Sequence, residues 1–379
     1  MLDEMSKQEK ALLLLVFTAL ALYHVTELSA VSHASTLTIT DALGRVVNLT
    51  RTPQRVVSLS PSITETLLAL NLSNEIVGVD HYSYSDWFMN ASSQFQSRNV
   101  TDVGGYWWSA ISIEKILSLQ PGLVLADAGA HRPLLNTFVE YNLTVVYLKG
   151  GSATSIEDVY SDIYTIGLIF NRTGEATKLI NNIEAQLNEG KRLLSGYAGL
   201  SVLYVVGIYQ GIWVAGKSTY FNDLVSRLGL KNAAGSYGWR AVSIEDIAAW
   251  RPDVVIVASM GVTREDVEKS GLASLGAKVV YLNSTETDIL SRPSPLVALV
   301  PSVLYDALSK AVPLPTTTTT PQTATVTYTE TKTETSTFTM TITIEKTTYQ
   351  SSWVLALVVS SLVIAFAAGL LTGRRTKKG

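Results

Sequence analysis

The chain has no cysteine in its 379 residues. This excludes disulfides, thiolate metal sites, thiol nucleophiles and a lipid-modified cysteine. Histidine is scarce, with four in all, and the two within the central region, His81 and His131, lack metal-ligand spacing, so no metal site is expected. No Gly-x-Ser-x-Gly elbow or His-Glu-x-x-His motif occurs, and no catalytic residue or enzymatic activity is assigned. Charge is low as well. A net charge of −3, with no basic block before the last residues, argues against nucleic acid as a partner.

Long apolar runs are confined to the two ends. Lys7 and Lys10 precede an apolar stretch from Ala11 to Tyr23, then the small residues Ser29-Ala30 and Ser32-His-Ala34, which reads as a secretory signal. Trp353 to Leu371 is apolar enough to span a bilayer, and Arg374, Arg375, Lys377 and Lys378 follow at once. Basic residues stay on the cytoplasmic side, so everything before Trp353 is expected outside. Pro313 to Gln350 is dominated by threonine and reads as an extended stalk rather than a strand. Asn-x-Ser/Thr sequons begin at Asn48, Asn71, Asn90, Asn99, Asn142, Asn171 and Asn283, as on a glycosylated exterior. A transmembrane anchor without a lipid suggests an archaeal-type cell surface.

Between these ends the chain repeats a phrase. Ser112-Ile-Glu114-Lys-Ile runs through Pro121 into Leu123-Val-Leu-Ala126, and Ser243-Ile-Glu245-Asp-Ile runs through Pro252 into Val254-Val-Ile-Val-Ala258. Serine, glutamate and proline recur at one offset, longer than the roughly 20–50 residues of a solenoid repeat and suited to an α/β lobe. Two such lobes leave a cleft, where small ligands bind. Leu37 to Leu49 reads as a hairpin turned at Asp41-Ala-Leu-Gly44. Short β-branched runs then alternate with helical stretches, the pattern of parallel sheets covered by helices. Glu65 is read as a capping-box partner of Ser62. Ser155 to Ser195 reads as one long helix, with a candidate break at Asn171-Arg-Thr-Gly174.

The expected fold is therefore α/β: two Rossmann-like lobes joined by one long helix, with a C-terminal transmembrane helix. The expected segments are a signal peptide over 1–34, an N-terminal lobe over 35–151, the connecting helix over 152–195 and a C-terminal lobe over 196–312. A stalk over 313–350, a transmembrane helix over 351–372 and a cytoplasmic tail over 373–379 complete the chain.

Arg55-Val-Val-Ser-Leu-Ser-Pro-Ser62, Val100-Thr-Asp-Val-Gly-Gly105, the doubled Ser-Ile-Glu phrase and Ser291-Arg-Pro-Ser-Pro295 resemble the substrate-binding proteins of ABC importers for cobalamin, haem and ferric siderophores. The cobalamin-binding members are the most similar. The resemblance implies cleft aromatics at Tyr82, Tyr106, Trp213 and Trp239. It also implies an acid and an arginine, Asp288 and Arg292, that reach the ligand's side groups. Glu114 and Glu245, one per lobe, are the expected contacts for a pseudo-symmetric permease. Trp87 and Trp107-Trp108 depart from the pattern, and Asp127–His131 lacks the aromatic that the pattern places there, which leaves corrinoid, haem and siderophore open. His81 and His131 are read first as surface residues, and second as axial ligands to haem iron or corrin cobalt. The implied function is a monomeric, membrane-anchored ectodomain that delivers a corrinoid to an ABC permease and its ATPase. It has no cofactor of its own, the cobalt corrinoid or iron chelate being cargo. A surface adhesion or sensor protein on the same fold is the alternative of another class.

Overall fold

A computed structural model of the chain describes residues 36–313 and two short strands beyond them. The chain divides into two compact units, 1–313 and 314–379. The expected signal peptide, transmembrane helix and basic tail lie outside the described residues. Among the described residues no helix is long and apolar enough to cross a membrane.

The first unit opens with an antiparallel hairpin, β1 (Leu37–Thr40) and β2 (Val46–Leu49), turned where Asp41 accepts the backbone N–H groups of Leu43 and Arg45. Then β3 (Val56–Ser58), β4 (Ile76–Val79), β5 (Thr101–Asp102), β6 (Leu123–Asp127) and β7 (Val145–Leu148) form a wholly parallel sheet in the order β5-β4-β3-β6-β7. The helices between them are α1 (Pro61–Ala69), α2 (His81–Tyr84), α3 (Ala91–Ser97), α4 (Ile113–Ser118) and α5 (Leu135–Glu140).

Two helices, α6 (Ile156–Ile169) and α7 (Thr173–Leu193), lead to the second sheet. That sheet contains β8 (Ser201–Ile208), β9 (Ile212–Ala215), β10 (Lys231–Asn232), β11 (Trp239–Val242), β12 (Val254–Val257) and β13 (Lys278–Tyr281), in the order β11-β9-β8-β12-β13 with β10 also on β8. Its helices are α8 (Tyr220–Arg227), α9 (Ile244–Trp250), α10 (Arg264–Lys269), α11 (Ser284–Ser291) and α12 (Val300–Ala311). Besides the extra strand, the two sheets differ in strand direction. β9 is antiparallel to both β8 and β11, so an antiparallel extension replaces the expected all-parallel pattern on that side.

The β-branched runs are explained by burial on both faces. Val56, Leu123, Leu125, Val146 and Leu148 enter one apolar cluster, while Val57, Val124, Ala126, Val145 and Tyr147 enter another. Val202, Tyr204, Val254 and Ile256 join the first of these clusters, and their neighbours Leu203, Val205, Val255 and Val257 form a third. This is the period of two expected of a strand. Each lobe thus has a private core on one sheet face and shares a common core on the other.

The connecting segment corrects the single-helix expectation. α6 ends where Asn171 takes a left-handed φ of 55°, and α7 starts two residues later. Gly167 makes the close approach of the two helices possible, because a Cβ there would lie 2.5 Å from the Cβ of Ala176. Both helices are packed rather than free-standing: Ile156, Ile163, Ile166, Ala176, Ile183 and Leu187 all belong to the common core. In the second unit, Thr325–Thr327 and Thr339–Thr341 form a short antiparallel pair. The stalk was expected to be wholly extended. Here two three-residue segments pair with each other.

Candidate ligand-binding cleft

In parallel sheets, loops that leave the carboxyl ends of the strands surround the ligand crevice, with the switch in strand order at its centre. In the N-terminal lobe that switch lies between β3 and β6, and a buried carboxylate, Asp127, occupies it. Its Oδ1 accepts from the N–H groups of Gly129 at 2.7 Å and Ala130 at 3.2 Å. Its Oδ2 accepts from Gly151 N at 2.7 Å and from the Tyr106 hydroxyl at 2.9 Å. A Cβ on Gly151 would lie 2.8 Å from the Tyr106 hydroxyl, so the loop after β7 approaches this node without a side chain. Burial, followed by the neighbouring Asp127 charge, raises the Tyr106 hydroxyl well above its ordinary range. Tyr106 therefore has its hydroxyl tied inward and only part of its ring free, packed edge-on against Trp107 and His131.

His131 corrects the surface reading. It is wholly buried. Its Nδ1 accepts from Asp127 N at 3.0 Å, and its Nε2 donates to the Tyr106 carbonyl at 2.6 Å. Burial pushes its pKa down against the opposing charge of Asp127, so it stays neutral, with both nitrogens occupied and neither free for a metal. His81 is exposed, and its Nδ1 lies 2.8 Å from Asp102 Oδ2. Among the described residues no cluster of His, Asp and Glu has metal-binding geometry.

Tyr82 lies in the first turn of α2, just past β4, and is 55% exposed. Asp80 fixes that turn by accepting the N–H groups of Tyr82 and Ser83. Past β5, Gly104 has a φ of 119° and bridges to Ile111, closing a loop that presents Trp107 and Trp108, both exposed. In the C-terminal lobe Trp213, on β9, is half-buried and stacks on exposed Tyr209 at 5.4 Å and 17°. Trp239 opens β11, packs on the common core and lies 6.3 Å from the Tyr220 ring.

Asp288 and Arg292 occupy a different setting from the expected one. Arg292 bridges the lobes: one guanidinium nitrogen, Nη1, lies 2.6 Å from Glu65 on α1 and 2.7 Å from Asp86, and Nη2 lies 2.8 Å from Asp288. Trp87 Nε1 donates to the other Asp288 oxygen at 3.1 Å. Burial works against the Arg292 charge, but the three carboxylates prevail and hold it protonated. Glu65 is pushed up to about 8 by burial, despite Arg292. Glu65 is thus a hydrogen-bond partner of Arg292 rather than a capping-box residue; α1 begins at Pro61 after Ser60, which makes no side-chain cap. The sequence reading gave Glu65 another role and missed Asp86, Asp127 and Tyr209. Only Asp127 left a signal, an acid at a strand end followed by the small residues Ala128-Gly-Ala130.

Gly211-Ile-Trp-Val-Ala-Gly-Lys-Ser218 has the spacing of a phosphate-binding loop. Its central residues instead form β9, paired to strands on both sides, and the first N–H groups of α8 are taken by Ala153 O and Thr219 Oγ1. It is not an anion cradle.

Glu114 and Glu245 hold equivalent places. Each is exposed in the first turn of its helix, behind a serine N-cap (Ser112 and Ser243) that accepts from the N–H three residues on. Among the described residues neither carboxylate has an ion-pair or hydrogen-bond partner.

Comparison with known proteins agrees with this architecture. The family described as periplasmic binding protein matches residues 56–277. An uncharacterized ABC transporter substrate-binding lipoprotein of Bacillus subtilis, YvrC, is 28% identical over 68% of this chain and 81% of its own length. The vitamin B12-binding protein of Pectobacterium atrosepticum is 24% identical, over 68% of this chain and 89% of its own. The crystal structure of the petrobactin-binding protein YclQ of B. subtilis superposes with a TM-score of 0.59 at 21% identity, covering 72% of this chain and 99% of that one. With two α/β sheets sharing a core, and half of its length or more matched, the chain belongs to the periplasmic binding protein family, the solute-binding components of ABC transport systems.

Proposed function

We propose that this chain captures a cobalamin-like corrinoid outside the cell membrane and delivers it to an ABC permease, with its C-terminal apolar segment as the anchor. The observation that carries this reading is the set of aromatics at the loop ends of both lobes: Tyr82, Trp107 and Trp108 on one, Tyr209 and Trp213 on the other. A large macrocycle has broad apolar faces, and aromatic side chains cover such faces with favourable stacking. The similarity to a vitamin B12-binding protein supports the corrinoid. Haem or a ferric siderophore is the alternative cargo for the same role.

Titration of the purified protein with cobalamin, hemin and a ferric hydroxamate is expected to give tightest binding to cobalamin. Tyr82→Ala combined with Trp213→Ala is expected to weaken that binding roughly tenfold to a hundredfold. Failure of all three compounds to bind removes the ligand reading.

Delivery rests on Glu114 and Glu245, two unpaired carboxylates at matching places on the two lobes. The double change Glu114→Ala with Glu245→Ala is expected to reduce permease-dependent uptake to background while leaving ligand affinity unchanged, because charges outside the cleft act on the partner and not on the cargo. Uptake that survives the double change would refute docking through these residues.

A further inference from the structure

The sequon asparagines are all exposed, but the structure separates them. Asn48 and Asn283 use their side-chain oxygens as acceptors, from Thr38 Oγ1 at 2.8 Å and Glu286 N at 2.9 Å. The side-chain amides of Asn71, Asn90, Asn99, Asn142 and Asn171 make no hydrogen bond among the described residues, and all five have φ between 53° and 58°.

Three of these share one face. Asn71, Asn99 and Asn142 lie in the turns that lead from a helix into β4, β5 and β7. That sheet is wholly parallel, so the three turns gather at its amino-terminal end. Tyr82, Tyr106 and Glu114 all follow the carboxyl ends of strands, at the opposite end of the same sheet.

A left-handed backbone explains asparagine at these turns, because its short side chain tolerates that conformation. It does not explain Ser73, Thr101 and Thr144, each two residues further on. The helix-to-strand turns of the other lobe meet the same conformational demand with Gly229 (φ 85°), Arg251 (φ 51°) and Gly276 (φ 77°), and none of these begins a sequon.

We propose that Asn71, Asn99 and Asn142 are N-glycosylated, which coats the end of the N-terminal lobe that faces away from the cleft and the docking glutamates. This rests on the chain being exported. The donor is a lipid-phosphate-linked oligosaccharide. The asparagine Nδ2 forms a bond to the anomeric carbon as the bond from that carbon to the phosphate oxygen breaks. The electron pair leaves with the lipid phosphate, and an amide proton passes to a base of the transferase. Nothing is oxidised or reduced.

The test is glycopeptide mass spectrometry on the full-length protein isolated from the membranes of its native cells. Peptides containing Asn71, Asn99 and Asn142 are expected to carry a glycan mass. Ser73→Ala, Thr101→Ala and Thr144→Ala each keep the asparagine and its backbone, and each is expected to remove the mass at its own site only. Unmodified asparagine at all three sites in the native protein overturns the proposal, as does a glycan that persists after the hydroxyl is removed. Ligand titration of the deglycosylated protein is expected to match that of the native form. A failure to bind ligand would count against the transport reading and leave the glycan result intact.

Discussion

Arg292→Ala is expected to lower the unfolding free energy by about 3 kcal/mol, because it strands the buried Asp86 carboxylate without its cation and leaves Glu65 without its hydrogen-bond donor. For a unit of this size the midpoint of thermal unfolding should fall on the order of 10 °C. The loss should exceed that of an ordinary surface arginine, since Glu65 and Asp86 are both buried and reach Arg292 from the other lobe. Glu65→Gln should be mild at neutral pH. The Glu65 carboxyl, pushed up to about 8, is already largely protonated there, so an amide of the same shape replaces a neutral group. Thermal melts of the two variants against wild type provide the check. An Arg292→Ala melt within about 2 °C of wild type, under 1 kcal/mol for a domain of this size, would mean that the cluster does not join the lobes.

Stability is also expected to decline from mildly acidic to alkaline pH. Burial raises Glu65 from an ordinary value of 4.5 to about 8, and Asp80 from 3.8 to about 6. A carboxyl raised in the folded state binds more protons there than in the unfolded chain. Its contribution is full below the unfolded value and is lost as pH rises through the folded one. The decline should therefore begin near pH 4, pass through about 6 as Asp80 ionises and end beyond about 8 with Glu65, amounting to at most about 8 kcal/mol in all. Asp102 acts in the opposite sense. Burial pushes it up, but hydrogen bonds from His81 and Gly104 prevail and lower it, so its contribution is lost only in stronger acid. Urea unfolding at pH 5.5, 7 and 8.5 gives the slope, and Glu65→Gln should flatten its alkaline part. A stability that rises over this range would contradict the burial of both groups.

Much of the fold was legible because strand burial writes itself into residue type. Val254-Val-Ile-Val257 is apolar at every position, since both faces of β12 are covered, and the Asp41–Gly44 turn carries its own side-chain chemistry. The doubled Ser-Ile-Glu phrase located two helix starts of the same design. What sequence could not convey was pairing at a distance. Arg292 and Glu65 are 227 positions apart, so a local rule assigned Glu65 to the nearest serine and left Arg292 free for ligand. His131 misled for a similar reason. Its imidazole is polar in composition tables, yet here two backbone groups satisfy it inside the lobe. The aromatics were legible as residue types on loops, but the inward tether of Tyr106 depends on Asp127 and on the bare backbone of Gly151.

The common core has a consequence for how this protein can be divided. The doubled phrase marks two halves built to one plan, yet neither half owns a complete interior. Ala176, Ile183 and Leu187 of α7 share a single apolar cluster with Val56 and Phe95 on one side and with Tyr204 and Phe221 on the other. Severing the chain between the sheets would leave each fragment with a bare inner face, a surface that drives self-association. The cut halves are therefore better suited to finding each other than to living apart, and complementation between co-expressed fragments is the natural way to take this molecule to pieces.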